Sequence, residues 1–310
     1  MTRQTVVTTE PAQAARCLLA GGVCAIPTET VYGLAAVVTD RDAVSRVFAA
    51  KGRPTDHPLI VHVSSVDMAL RYGDLNETAL RLATTYWPGP LTLVVEASPL
   101  VPAEVTGGLQ TVAIRMPRHP LALRTIDLCD EGLVAPSANM FGHVSPTEAR
   151  HVLDDLSGRI DMVLDGGPSD VGVESTIVDC TGELQVLRPG AVTPADVSAC
   201  TGRPVVPVSA GKKGPGMLKS HYAPKARVLL ATDQSALTEI VRQEESDSRK
   251  CVVVGRGTDT RDYAANLYRM LRAADADGAD SVAALLPRGE GLAEAIRDRL
   301  RKAAADSASR

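Results

Sequence analysis

Short β-branched runs alternate with Ala- and Leu-rich runs of helical length along almost the whole chain. This alternation restricts the fold more than any other feature. Short apolar strands separated by helical segments bury both kinds of surface by layering helices on a sheet, which is α/β organisation. Hydrophobic residues make up 45% of the sequence but aromatic ones only 3%, so the core must be built from Val, Leu, Ile and Ala. A length of 310 residues gives one large domain or two ordinary ones as the expectation.

Punctuation residues locate the elements. Glu10-Pro11 opens a helix through Ala14, Ala15, Leu18 and Leu19, and Gly21-Gly22 ends it. Val23–Ile26 is a strand running into the turn Pro27-Thr28-Glu29-Thr30-Val31-Tyr32-Gly33-Leu34. Asp40 or Asp42 caps the next helix. Lys51-Gly52-Arg53-Pro54-Thr55-Asp56-His57-Pro58 follows, a proline-braced basic loop entering the strand Leu59–Val63. Helices are expected at Val66–Arg71 and Glu77–Tyr86, and a rigid breaker at Trp87-Pro88-Gly89-Pro90. Leu91–Glu96, Thr111–Met116 and Val173–Asp179 read as strands, and Leu133–Asn139 as a buried strand ending in small polar residues. Ser145-Pro146-Thr147-Glu148 has the form of a capping box, which predicts a helix from Ser145 to about Leu156. Residues 204–225 are rich in Pro, Gly, Lys and Ser and read as a linker. Beyond it, three strands alternate with three helices over 226–305, the pattern of a small Rossmann-like parallel α/β layer. Residues 306–310 form a tail, and 1–203 a first domain.

The candidate chemistry consists of cations and hydroxyls: Lys51, Arg53, Arg115 and Arg188, with Thr30, Ser137, Ser145 and Ser175, and His62. Lys51 and Arg53 suit an anionic ligand; they equally suit the negative end of the helix before them. Arg115 stands in an apolar strand and needs an anionic partner, either a protein carboxylate or a ligand carboxylate. The set suits holding a polyanion while two bound reactants meet. No Walker motif, nucleophile elbow, metal-binding histidine pair or carboxylate pair at obvious spacing is present. The six scattered cysteines form no C-x-x-C and fit a reducing compartment. The start of the chain lacks a signal-like core and no run could span a bilayer, so a soluble cytoplasmic protein is expected. The net charge of −4 argues against tight non-specific nucleic-acid binding.

Nine segments occur in a fixed order: 27–34, 51–54, 58–63, 87–90, 113–117, 135–139, 174–179, 187–190 and 221–224. Together they resemble the YrdC-like family of threonylcarbamoyl-AMP synthases, in its long form with a C-terminal domain. The resemblance implies a large twisted mixed sheet around a cationic cavity. It also implies a reaction in which L-threonine, bicarbonate and ATP give threonylcarbamoyl-AMP and pyrophosphate. A tRNA threonylcarbamoyl transferase system then modifies the adenosine beside the anticodon. Thr30, His62, Arg115, the Ala135 backbone and Ser175 would hold threonine. Arg53, His57, Thr111, Ser137, Ser145, Arg188 and Tyr222 would hold the nucleotide, with Lys51 and Asn139 close by. Lys51 and Arg53 are the expected stabilisers of the phosphate chain, and Mg²⁺ is expected with ATP. His57 departs from the family, which often has Asn there, and would make binding more pH-sensitive.

Two other classes stay open. An RNA-binding module would bind RNA without turning over ATP. A carbamoyltransferase would use carbamoyl phosphate without depending on threonine. The linker carries Lys212, Lys213, Lys219, His221 and Tyr222, so it is either a spacer or a lid that protects a hydrolysable adenylate.

Overall fold

The computed structural model describes residues 4–208 and 222–307. Lys212, Lys213, Lys219 and His221, and with them most of the expected lid, lie outside the described residues. The chain opens with β1 (Val6–Thr8), α1 (Pro11–Leu19), β2 (Cys24–Ile26), β3 (Gly33–Val37), α2 (Arg41–Lys51) and β4 (Ile60–His62). Next come α3 (Val66–Tyr72), β5 (Gly73–Asp74), α4 (Glu77–Tyr86), β6 (Leu91–Ala97), α5 (Ala103–Thr106), β7 (Thr111–Arg115), α6 (Pro120–Cys129) and β8 (Leu133–Val134). Then follow α7 (Ala149–Leu156), β9 (Met162–Leu164), β10 (Thr176–Asp179), β11 (Leu184–Arg188), α8 (Pro194–Thr201) and β12 (Val205–Val206).

These strands make one mixed sheet in the order β1-β9-β2-β3-β8-β4-β7-β6-β10-β11-β12, with β5 on β6. The parallel β4–β7 register sets His62 beside Arg115, which places two site candidates side by side. Local chemistry explains the helices that frame this sheet. In α2, Asp40 rather than Asp42 caps the start, accepting from Ala43 N, and Gly52 in the left-handed region (φ 62°) ends it. Val44, Val47 and Phe48 bury its inner face, each contributing on the order of 1.5–3 kcal/mol relative to exposure.

The capping box expected at Ser145 does not form. The helix begins four residues later, at Ala149, and Glu148 stands at its N-cap without a side-chain cap bond. The competing partner is Glu174, whose carboxylate accepts the Ser145 hydroxyl at 2.7 Å. The Pro146 carbonyl is taken by Tyr32 N, so this segment runs as a connection across the sheet. A true capping box forms at Thr193-Pro194-Ala195-Asp196, which sequence reading passed over. The same reading also missed β1, β3, β9 and α6, whose runs are short or lie next to stronger turn signals.

The remaining elements are β13 (Arg227–Ala231), α9 (Gln234–Ser246), β14 (Cys251–Val254), α10 (Thr260–Ala276), β15 (Ser281–Leu285) and α11 (Leu292–Ser307). The three strands are parallel in the order β13-β15-β14. One face of this small unit is not closed on itself. Tyr263, Leu267, Tyr268, Ile296 and Leu300, with Tyr222 ahead of β13, share an apolar cluster with Val31, Val144 and Val173 on connections around the larger sheet. Among the described residues no helix is long and apolar enough to cross a membrane, and no two of the six cysteines form a disulfide.

Candidate active site

A cleft opens where the turn after β2, the ends of β4 and β7, the segment after β8 and the end of β11 converge. Its lining includes Thr30, Arg53, His62, Arg115, Ala135, Ser137, Glu174, Arg188 and Tyr222. Gly33 permits the convergence: a Cβ there would stand 2.9 Å from the Ala135 Cβ. Gly190 does the same on the far wall, where a Cβ would come within 2.4 Å of Thr176 N.

Arg115 has a protein carboxylate as its partner. Its NH2 donates to Glu29 at 2.7 Å, its NH1 to the Thr30 hydroxyl at 2.8 Å and its Nε to the Gly89 carbonyl at 3.2 Å. Burial alone would raise the Glu29 pKa, but Arg115 and the Arg118 backbone N–H hold it below the ordinary carboxylate value. Both side chains are almost fully buried. The guanidinium is therefore fixed in direction with its charge compensated from behind.

His62 is buried between the two strands. Its Nδ1 faces the Ile60 carbonyl at 3.3 Å; a carbonyl only accepts, so Nδ1 carries the proton and Nε2 is left as an acceptor. Burial first, and Arg115 second, push its pKa down to about 3, so the ring is neutral. This has a consequence for stability. The unfolded ring binds a proton near pH 6.5 and the folded one only near 3, so stability present above pH 6.5 is lost as pH falls towards 3. The expected slope for His62 is up to about 1.4 kcal/mol per pH unit. Burial lowers the His151 pKa as well, to about 4, which acts in the same direction. Urea unfolding at several pH values between neutrality and about 5 checks this: a flat denaturation midpoint would contradict it, and His62→Gln should reduce the slope.

The other candidates divide. Arg53 is half-buried and lines the cleft; its NH2 donates to the Pro58 carbonyl at 3.0 Å, while its buried Nε has no hydrogen-bond partner among the described residues. Burial lowers its pKa to about 10, which leaves it a cation at neutral pH. Arg188 is buried at the end of β11, with its Nε on the Ser175 carbonyl at 3.0 Å and its NH2 on the Ser175 hydroxyl at 3.0 Å. Ser175 also pairs with Thr92 at 2.7 Å, so it positions Arg188 from behind the lining. Tyr222 is buried with φ 68°, a left-handed conformation rare for a bulky residue, and stacks on Tyr268 with ring centroids 5.8 Å apart.

Lys51 is not in the lining. Its ammonium is buried at the end of α2 and donates to the carbonyls of Ser137 and Asn139, the latter at 2.7 Å. Burial and the neighbouring Arg53 lower its pKa. Lys51 thus braces the segment that presents Ser137. Asn139 is buried behind that segment, donating to the Met140 and His143 carbonyls. His57 and Thr111 also lie outside the lining. His57 stands edge-on to Phe141 at 5.6 Å, and Thr111 begins β7 opposite Glu96. Ser145 points to Glu174. Sequence reading missed both carboxylates, Glu29 and Glu174, since neither is near an arginine in the sequence.

A fixed guanidinium, a neutral imidazole acceptor and hydroxyls occupy one part of the cleft. Arg53, Ser137, Arg188 and a buried tyrosine occupy another. The first set can orient a small zwitterion, the second a phosphate chain and its base.

Residues 16–190 match the model of the Sua5/YciO/YrdC family, described as telomere recombination. Residues 191–305 match the model of the threonylcarbamoyl-AMP synthase C-terminal domain. The threonylcarbamoyl-AMP synthase of Pyrococcus abyssi is 41% identical over 307 residues, which cover 91% of this chain and 90% of that one. The threonylcarbamoyl-AMP synthase of Bacillus subtilis is 38% identical, with 94% and 92% covered. The crystal structure of P. abyssi Sua5 complexed with L-threonine aligns with a TM-score of 0.90 at 37% identity, covering 98% of each chain.

Proposed function

The chain belongs to the Sua5/YciO/YrdC family in its long form, and we infer that it makes threonylcarbamoyl-AMP and pyrophosphate from L-threonine, bicarbonate and ATP. In class it is a nucleotidyltransferase: the adenylyl group moves to a carbamate oxygen. One observation carries the nucleotide half of this reading. Arg53 brings a cation, with a buried Nε–H that has no partner among the described residues, into the same cleft as Arg115 and Arg188.

The threonine amine and dissolved carbon dioxide form a carbamate without a strong protein base. The neutral His62 fits that requirement, since its free Nε2 accepts from the amine or hydroxyl and adds no charge. Arg115, aimed by Glu29 and Thr30, takes the carboxylate, and the Ala135 backbone borders the same region. The carbamate oxygen then attacks the α-phosphorus, and the bond to the pyrophosphate oxygen breaks. Arg53 and Arg188 stabilise the charge that collects on the leaving group. Ser137 and Tyr222 border the nucleotide, and Lys51 keeps Ser137 in place. Mg²⁺ comes with ATP as part of the substrate. Glu174 in the lining and Glu29 behind Arg115 are each already held by an arginine, so these carboxylates are poor metal donors.

The product passes to a separate transferase system acting on tRNA, which fits a synthase of net charge −4 that need not clamp tRNA itself. Pyrophosphate release measured with threonine and bicarbonate omitted in turn is the test. Release should need both. Release without threonine would favour another acceptor, and RNA binding without release would favour a binding module.

A further inference from the structure

Glu174 is a carboxylate in the wall of a cleft that has to take a triphosphate. It lines the cleft, yet its charge is met from outside. Arg299, fully buried on α11, donates from Nε to its Oε2 at 2.9 Å. Tyr268 on α10 donates its hydroxyl to the same oxygen at 2.8 Å, and Ser145 donates to Oε1 at 2.7 Å. The Arg299 guanidinium also lies over the Tyr222 ring at 5.5 Å and donates to the Pro189 carbonyl at 2.9 Å, next to Arg188. One side chain of the small C-terminal unit thus touches the counter-charge, the aromatic wall and the loop behind the arginine of the nucleotide region, without entering the cleft.

We propose that Arg299 is a positioning residue for the nucleotide: by neutralising Glu174 and holding Tyr222, it makes the cleft able to accept the phosphate chain of ATP. The inference rests on the synthase reading for the identity of the ligand. Its physical content is the sign of the local charge. With Arg299 in place, Glu174 and Arg299 cancel, and Arg53 and Arg188 are left to meet the phosphates. Without it, a buried carboxylate faces a polyanion. Packing alone would explain a buried arginine, but not one whose Nε is committed to a cleft-lining carboxylate.

The pH dependence follows. Burial alone would raise the Glu174 pKa; Arg299, Arg188 and the Ser145 hydroxyl bring it down to about 2, so in the native protein it is ionised at every working pH. The other charged or titratable groups around it are Tyr222, Tyr268 and Asp298, the last already paired with Arg299 and Lys302. When Arg299 is removed, burial dominates and the Glu174 pKa rises. Below the raised value the carboxyl is neutral and ATP binds. Above it the carboxylate is ionised, unpaired and repulsive.

The experiment uses the full chain, with ATP binding followed by calorimetry and pyrophosphate release followed in parallel, from about pH 6 to about pH 9. Arg299→Met should weaken ATP binding by roughly tenfold to a hundredfold at the alkaline end and less at the acid end. The KM for threonine should stay within about threefold. Adding Glu174→Gln to Arg299→Met should restore most of the ATP affinity and flatten the pH profile. Arg299→Lys, which keeps the charge and guards against a variant that does not fold, should stay much closer to the native protein than the Met variant. Equal losses for ATP and threonine, no rescue by Glu174→Gln, or a Lys variant as weak as the Met variant would each overturn the proposal. A chain that shows this ATP dependence but releases no pyrophosphate would keep the inference and remove the synthase reading.

Discussion

Arg115→Ala is expected to raise the KM for threonine by about a hundredfold while the KM for ATP moves less than about threefold. The asymmetry follows from geometry. The guanidinium ends β7 next to His62, and three of its five N–H groups are tied to Glu29, Thr30 and Gly89. The remaining two can take a carboxylate in a fixed direction. Removing the arginine also leaves Glu29 buried and unpaired, which costs on the order of 3–5 kcal/mol of stability. Arg115→Ala combined with Glu29→Gln therefore separates the two effects: the pair should recover most of the stability and none of the threonine affinity. Initial rates of pyrophosphate release at varied threonine and varied ATP decide the matter. If both constants rise together, Arg115 is a structural ion pair and the carboxylate site lies elsewhere.

Arg53→Ala should lower turnover by roughly a hundredfold with little loss of folding stability. Among the described residues its only close hydrogen bond is to a loop carbonyl, Pro58 at 3.0 Å, with a marginal one to His57 at 3.5 Å, and its buried Nε has no partner there. Lys51→Met provides the contrast. That ammonium holds the Ser137 and Asn139 carbonyls, and losing a partner costs a buried polar group about 1–3 kcal/mol. The lysine variant should therefore melt at a lower temperature as well as turn over slowly, and the arginine variant should only turn over slowly. Thermal melts set beside kcat for the two variants are the check. A stable, active Arg53→Ala would remove the phosphate role, and a stable Lys51→Met would remove the bracing role.

Much of this arrangement can be read from the residues. The turn before Gly33, the strand carrying Arg115 and the parallel C-terminal layer follow from local rules: turn chemistry, a charge in an apolar run, and alternating periods. What cannot be read is pairing across the fold. Glu29 and Arg115 stand 86 positions apart and Glu174 and Arg299 stand 125 apart, so no local rule joins them. Ser145 shows the reverse case, in which a valid local signal lost to a distant carboxylate. The signal for Arg299 was present. Ile296, Arg299, Leu300 and Ala303 fall on one helical stripe, and an arginine on an apolar stripe asks for a partner as Arg115 does. Lys51 was assigned by its charge; its burial at the end of a helix, visible only in three dimensions, turns it towards carbonyls.

The apolar cluster shared by the two sheets bears on how such a chain comes apart. Val31, Val144 and Val173, all on connections around the larger sheet, pack in one cluster with Tyr222, Tyr268 and Leu300. Val31 belongs to the turn that forms the cleft floor, and Val173 precedes Glu174. Loosening the C-terminal unit would therefore let water reach the back of the cleft.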